Sequence, residues 1–144
     1  MVFLVAELGV NWNGDFELVQ KMMLNAKTLG CSAVKFQAFN ETILGNHPQL
    51  SLLMKSAITE ENIERVDQIA NDIGIEWFCT PMYPEAVTFL NPFVKRFKIM
   101  FLVLHIQVRF FWQIFPSYLH TMVIVYYVFP IHFEFLIKHS PVYH

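Results

Sequence analysis

Lys35 lies in a short apolar run whose composition predicts a buried strand. Residues 33–39 read AVKFQAF, and Gly30 and Asn40 bound the run. Side chains alternate along a strand, so Lys35 and Gln37 would share one face. Because a buried ammonium must be paired, the run predicts a polar pocket at the end of a parallel sheet, where Lys35 meets an anionic ligand. The alternative is an edge strand that leaves both polar side chains in water.

Strand-like and helix-like segments alternate through the first hundred residues. Strands are predicted at 2–7, 33–39, 75–80 and 93–99, and helices after Asp15, from Thr59 and from Glu85. Short helix-to-strand loops and longer strand-to-helix loops are typical of parallel strands joined by crossover helices. Ligand groups in such sheets lie at the C-terminal strand ends. The polar residues expected there are Glu7, Lys35, Gln37, Thr80 and Lys98. Periodicity leaves a (β/α)8 barrel and an open doubly wound sheet as alternatives.

The first two long helices have recognisable ends and apolar stripes. Asp15 is the predicted N-cap of the first helix, and Gly30 and Gly74 are the predicted C-terminal residues of the two. The apolar spacing predicts two buried stripes: Leu18, Met22, Ala26 and Leu29 in one helix, and Ile63, Val66, Ala70 and Ile73 in the other.

The composition changes abruptly near Met100. All five glycines precede it, and the last 44 residues contain no Ala, Gly, Asp or Asn. Two regions are therefore predicted: an ordered α/β unit at 1–99 and an atypical hydrophobic tail at 100–144. Five of the six histidines lie in the tail, but their spacing fits no metal site.

The tail contains an uncharged run at 110–133 that is long enough to cross a bilayer. Pro116, Pro130 and the absence of a basic flanking cluster argue against a membrane span. The tail composition favours an aberrant, frameshift-like product over a membrane segment, and membrane association through this run is the alternative.

Charge and cysteine content exclude several classes of protein. The net charge of −2, without a basic cluster, argues against nucleic-acid binding. Cys31 and Cys79 are too few for a disulfide framework, which favours free thiols in a reducing cytoplasm. The apolar N-terminus is interrupted by Glu7 and lacks a preceding basic residue, so no signal peptide is predicted.

Four short motifs resemble the N-acetylneuraminate (sialic acid) synthase family. The opening motif of that family is close to I-A-E-I-G-x-N-H-N-G-D, and residues 5–15 read VAELGVNWNGD. The family sequence A-V-K-F-Q stands unaltered at 33–37, F-x-T-P matches 78–81, and F-K-I matches 97–99. The resemblance covers residues 2–99.

The resemblance implies a TIM barrel, of which this chain would supply about four βα units. Enzymes of the family condense phosphoenolpyruvate with an N-acetylated amino sugar such as N-acetylmannosamine to make a nonulosonic acid. They use a divalent metal, Mn or Mg, and form homodimers. The resemblance therefore implies a C–C bond-forming transferase of carbohydrate biosynthesis in the cytoplasm.

The resemblance also assigns roles to individual residues. Lys35, Thr80 and Lys98 would bind the phosphate and carboxylate of phosphoenolpyruvate, as two lysines suit that task. Gln37 would donate or accept a hydrogen bond to the sugar. Glu7 would be catalytic, either positioning sugar hydroxyls or transferring a proton. The alternative for Glu7 is an exposed carboxylate at a strand end.

Several departures from the family pattern lead us to expect an inactive, truncated chain. Trp12 stands where the family usually has histidine, and residues 100–103 read MFLV in place of A-S-G-D. The metal-binding histidines of the family lie on later strands, so metal ligands are expected to be absent here. The rival interpretations are a membrane-tethered module that retains half of the phosphoenolpyruvate site and a different TIM-barrel aldolase.

Overall fold

In the described part of the chain, six strands follow one another in sequence order across a sheet. The computed structural model describes residues 3–99, 122–128 and 131–136. The strands are β1 (Val5–Glu7), β2 (Ala33–Ala38), β3 (Glu76–Pro81), β4 (Phe97–Ile99), β5 (Met122–Val128) and β6 (Ile131–Leu136). Strands β1 to β5 pair in parallel, each with the next, whereas β5 and β6 are antiparallel.

The connections between the first four strands contain the helices. These are α1 (Phe16–Thr28), α2 (Glu41–Leu44), α3 (Leu50–Met54), α4 (Ile63–Ile73) and α5 (Pro84–Leu90). The Asp15 carboxylate accepts hydrogen bonds from the backbone N–H groups of Glu17 at 2.8 Å and Leu18 at 3.2 Å. Asp15 is thus the N-cap of α1, as predicted. Gly74 ends α4 in the left-handed conformation, at φ +73°.

Strand order decides between the two fold classes that periodicity left open. A doubly wound sheet places later strands on both sides of its first strand, whereas a barrel adds each strand beside the preceding one. The order β1-β2-β3-β4 is of the second kind. The α/β class and the partial (β/α)8 barrel are therefore confirmed, although β4 begins at Phe97 rather than at residue 93.

Strand β2 lies in the interior of the sheet. It pairs with β1 through Val5 and with β3 through Glu76, both opposite Ala33. On the face towards the helices, Phe36 is fully buried and contacts the Trp77 ring edge-to-face at 6.1 Å. The edge-strand alternative, with Lys35 in water, is therefore wrong.

The buried stripe of α1 shares Ala26 with the predicted stripe but is otherwise displaced by one residue. Val19, Met23 and Ala26 are buried against the sheet, whereas Leu29 is 79% exposed. Both stripes have helical spacing, so periodicity permits either. The position of the helix over the sheet decides between them. In α4 the predicted residues Ile63, Val66 and Ala70 are buried.

The loop after β1 is fastened to the segment that precedes α4. The Trp12 indole N–H donates to the Ser56 carbonyl at 3.1 Å, and the Ser56 hydroxyl donates to the Val10 carbonyl at 2.9 Å. Trp12 is buried, with its ring edge-to-face on Phe36 at 6.3 Å. The residue that replaces the family histidine therefore belongs to the core and holds two loops together.

Most of the predicted tail, 100–144, lies outside the described residues. The described parts form β5 and β6, and β5 lies beside β4 with Lys98 opposite Val123. The possible membrane segment at 110–133 is only partly described. Within the described ranges, no helix has the length and apolar character needed to cross a bilayer. The frameshift interpretation of the tail stays a prediction.

We predict that Ser56→Ala destabilises the protein by about 1–2 kcal/mol, because Ser56 is fully buried and its loss leaves the Val10 carbonyl without that donor. Ser51→Ala is the matched control, since Ser51 is exposed in α3. Urea unfolding of the wild type and of both variants measures their free energies of unfolding. Equal free energies of unfolding would contradict the role of Ser56 in joining the loops.

Candidate functional site

Five predicted site residues lie on one face of the sheet, at the C-terminal ends of neighbouring strands. The register pairs Glu7 with Lys35 and Gln37 with Thr80. Cys79 pairs with Phe97, which places Lys98 beside Thr80. Side chains of paired residues in parallel strands point to the same side. The structure therefore brings together the residues that the sequence predicted: Glu7, Lys35, Gln37, Thr80 and Lys98.

The Lys35 ammonium forms an ion pair with the Glu7 carboxylate. The two partners differ in environment, since the Lys35 side chain is fully buried and that of Glu7 is 43% exposed. The chain after Glu7 turns onto β2, where the backbone N–H groups of Leu8 and Gly9 donate to the Lys35 carbonyl at 3.0 and 3.1 Å. Backbone and side chain of Lys35 are thus both held by the end of β1.

Burial lowers the pKa of Lys35, because a charged ammonium is disfavoured away from water. The Glu7 carboxylate opposes this effect and raises the pKa, whereas the positive charge of nearby Lys98 lowers it further. Two ammonium groups, those of Lys35 and Lys98, thus lie close to each other on this face. Neighbouring buried ammonium groups favour an anionic ligand.

Thr80 adds a buried hydroxyl to the same edge. Its side chain is 2% exposed, and within the described residues its Oγ1 has no hydrogen-bond partner. Lys98, next to it, is 4% exposed. Because a buried hydroxyl is costly when unpaired, Thr80 is suited to donate to a ligand oxygen.

Gln37 lies at the rim of this face and is partly exposed. Its backbone carbonyl accepts a hydrogen bond from Ile58 at 3.0 Å, which ties the rim to the segment before α4. The side chain is thus placed beside Thr80 but nearer to solvent. This position suits a contact to the more polar part of a substrate.

Two residues of the site received no role from the sequence. Phe78 lies opposite Lys35 in the register and is buried, so it forms an apolar wall beside the ammonium. Its position two residues before Thr80 on the same strand was the available signal. Gly9 has φ +50°, and a Cβ there would lie 3.3 Å from Glu7 Oε1. The missing side chain leaves room for the Glu7 carboxylate.

The described residues do not fit a metal centre. No group of three His, Cys, Asp or Glu side chains within 3–99 and the two later strands could hold a metal ion. The carboxylate of this site, Glu7, is paired with Lys35.

We predict that Lys35→Met stabilises the chain by about 1 kcal/mol at pH 7, because it removes a buried charge and leaves Glu7 free to be solvated. The pKa of Lys35 is lowered in the folded state from its ordinary value of 10.5. At pH values between the lowered pKa of the folded state and 10.5, the unfolded chain binds more protons than the folded chain, so the stability of the wild type rises with pH. Lys35→Met should abolish that rise.

Urea unfolding at several pH values between 7 and 10 measures both effects. Lys21→Met is the control, because Lys21 is exposed on α1 and its replacement should leave the wild-type pH dependence unchanged. A loss of stability in Lys35→Met, with unaltered pH dependence, would contradict the burial of a charged Lys35.

Comparison with known proteins identifies the family. The family model of the NeuB family matches residues 22–102. The N,N'-diacetyllegionaminic acid synthase of Legionella pneumophila is 35% identical over an alignment that covers 67% of this chain and 32% of that protein. The chain thus spans about a third of the length of the curated relatives it matches.

Two solved structures share the fold. The N-acetylneuraminic acid synthetase of Leptospira borgpetersenii, in complex with citrate, is 28% identical at a TM-score of 0.62, covering 68% of this chain and 35% of its own. A truncated 3-deoxy-D-arabino-heptulosonate 7-phosphate synthase from Thermotoga maritima is 11% identical at a TM-score of 0.61, covering 85% and 39%, and supports the fold only. With its motifs, strand order and family-model match, this chain belongs to the NeuB family.

Proposed function

We propose that residues 3–99 form the phosphoenolpyruvate-binding part of a NeuB-type synthase. The complete reaction would condense phosphoenolpyruvate with an N-acetylated amino sugar, such as N-acetylmannosamine, to give a nonulosonic acid. The observation that carries this proposal is the pair of buried lysines on one strand-end face, beside a buried threonine hydroxyl. The similarity to acid synthases of this family supports it.

The chemistry of phosphoenolpyruvate matches the donors at this edge. The substrate carries a phosphate and a carboxylate, which require cations and hydrogen-bond donors in a water-poor site. Lys35 and Lys98 supply two compact ammonium groups, and Thr80 supplies a hydroxyl. Burial and, to a smaller extent, the positive charge of Lys98 lower the pKa of Lys35 in the free protein, and binding of the anion would compensate both.

The remaining polar residues suit the second substrate. Gln37 lies at the solvent-facing rim, where it would hydrogen-bond the amino sugar. Glu7 is the partly exposed carboxylate beside Lys35, so it would orient a sugar hydroxyl or transfer a proton. A divalent metal would need ligands from outside the described residues. We therefore assign no step to it.

We further propose that the isolated 144-residue chain does not catalyse the condensation. The chain spans about a third of the length of its curated relatives. Its described residues would therefore supply only part of a barrel and part of the substrate site. The anion-binding edge is complete enough to bind substrate, whereas activation of the sugar requires groups that the described residues lack. Binding and turnover are therefore separate predictions.

We predict that phosphoenolpyruvate binds the full chain and that Lys35→Ala weakens this binding. Loss of a charge-assisted contact should cost about 1.5–3 kcal/mol, or about 10- to 150-fold in Kd. Isothermal titration calorimetry measures the Kd. The control is Lys21→Ala, which makes the same charge change on the exposed surface of α1. If both variants bind equally well, Lys35 is not a ligand of the anion.

We predict no phosphate release when the chain is incubated with phosphoenolpyruvate, N-acetylmannosamine and manganese. The physical reason is that no described residues can hold the metal expected to polarise the sugar aldehyde. A colorimetric phosphate assay against a protein-free control measures the rate. Turnover above that control would show that the chain is a complete enzyme.

A further inference from the structure

The ion pair between Glu7 and Lys35 has one buried and one partly exposed member. Lys35 is fully buried, and Glu7 is 43% exposed. A carboxylate in this position keeps part of its hydration while it pairs with a fully buried ammonium. The desolvation cost of the ion pair therefore falls more on Lys35 than on Glu7.

The charged groups that act on Lys35 from its own face of the sheet come from two other strands. Glu7 on β1 raises the pKa of Lys35, and Lys98 on β4 lowers it. Cys79 on β3 pairs with Phe36 and so points to the other face of the sheet, where burial raises the pKa of its thiol well above the usual value. Within the described residues, Glu7 is thus the group whose charge favours the ammonium form of Lys35.

The turn after β1 sets the position of the Glu7 carboxylate. Gly9 adopts φ +50°, and a Cβ at this residue would lie 3.3 Å from Glu7 Oε1. Such a contact is tight enough that the carboxylate would have to move. The N–H of Gly9 also donates to the Lys35 carbonyl at 3.1 Å, which fixes the turn over β2.

We propose that Glu7 is a positioning residue for Lys35: its carboxylate, placed by the turn at Gly9, keeps the buried amine charged so that it can bind an anion. This inference rests on the proposed function in one respect, namely that Lys35 is the ligand of the phosphoenolpyruvate anion. Without Glu7, burial and Lys98 both favour the neutral amine, which attracts an anion weakly.

The first test measures the charge of Lys35 directly and needs no ligand. The full chain is labelled with 13Cε-lysine, and the Lys35 signal is assigned by its loss in Lys35→Arg. In Glu7→Gln, the titration midpoint of Lys35 should fall by about 1–3 pH units. The exposed Lys21 serves as the internal control and should not shift.

The second test follows phosphoenolpyruvate binding as a function of pH. Affinity should fall at high pH as Lys35 loses its proton, and Glu7→Gln should move this fall to lower pH by the same interval. Gly9→Ala should move it in the same direction. Gly45→Ala is the matched control, since Gly45 has a similar φ of +54° with no atom within 4 Å of an added Cβ.

The outcomes separate this inference from the proposed function. An unchanged Lys35 midpoint in Glu7→Gln overturns the inference, whatever the chain binds. A lower midpoint, together with the expected shift in the binding profile, supports both. A lower midpoint in a chain that does not bind phosphoenolpyruvate at any pH supports the control of Lys35 by Glu7 and overturns the proposed function.

Discussion

The buried ammonium of Lys35 is the constraint around which the described part of the chain is arranged. A charge without water needs a partner, and the end of β1 supplies Glu7 beside it. The same turn binds the Lys35 backbone carbonyl through the N–H groups of Leu8 and Gly9. The end of β1 and the turn that follows it thus hold both the backbone and the charged side chain of Lys35. The first connection of the barrel therefore forms part of the site.

Strand β2 divides its two faces between stability and function. Val34 and Phe36 point to the helices and are fully buried in the apolar core. Lys35 and Gln37 point the other way, towards Thr80 on the neighbouring strand. Apolar burial on one face offsets the cost of the charge on the other. The site can therefore hold a destabilising cation because it is built on a central strand and not on a loop.

The loops at the C-terminal edge are held by buried polar contacts as well as by apolar packing. Trp12 and Ser56 exchange no side-chain bond with each other, yet each bonds the backbone of the opposite loop. Both are buried, so water does not compete for these bonds. These bonds hold the loop after β1 and the segment before α4 together beside the strand ends. Trp12 therefore has a structural role, which its position in a family motif did not indicate.

The sequence by itself determined the local features of the fold: the N-cap at Asp15, the end of α4 at Gly74, and the parallel strands whose ends bear the site residues. Each follows from residue preferences within a few positions, or from short motifs. Tertiary structure decided which of two helical stripes of α1 is buried, the burial of Trp12, and the pairing of Lys35 with Glu7. These depend on how a helix lies over the sheet and on strand register, and contacts between residues distant in sequence leave no local periodicity to read.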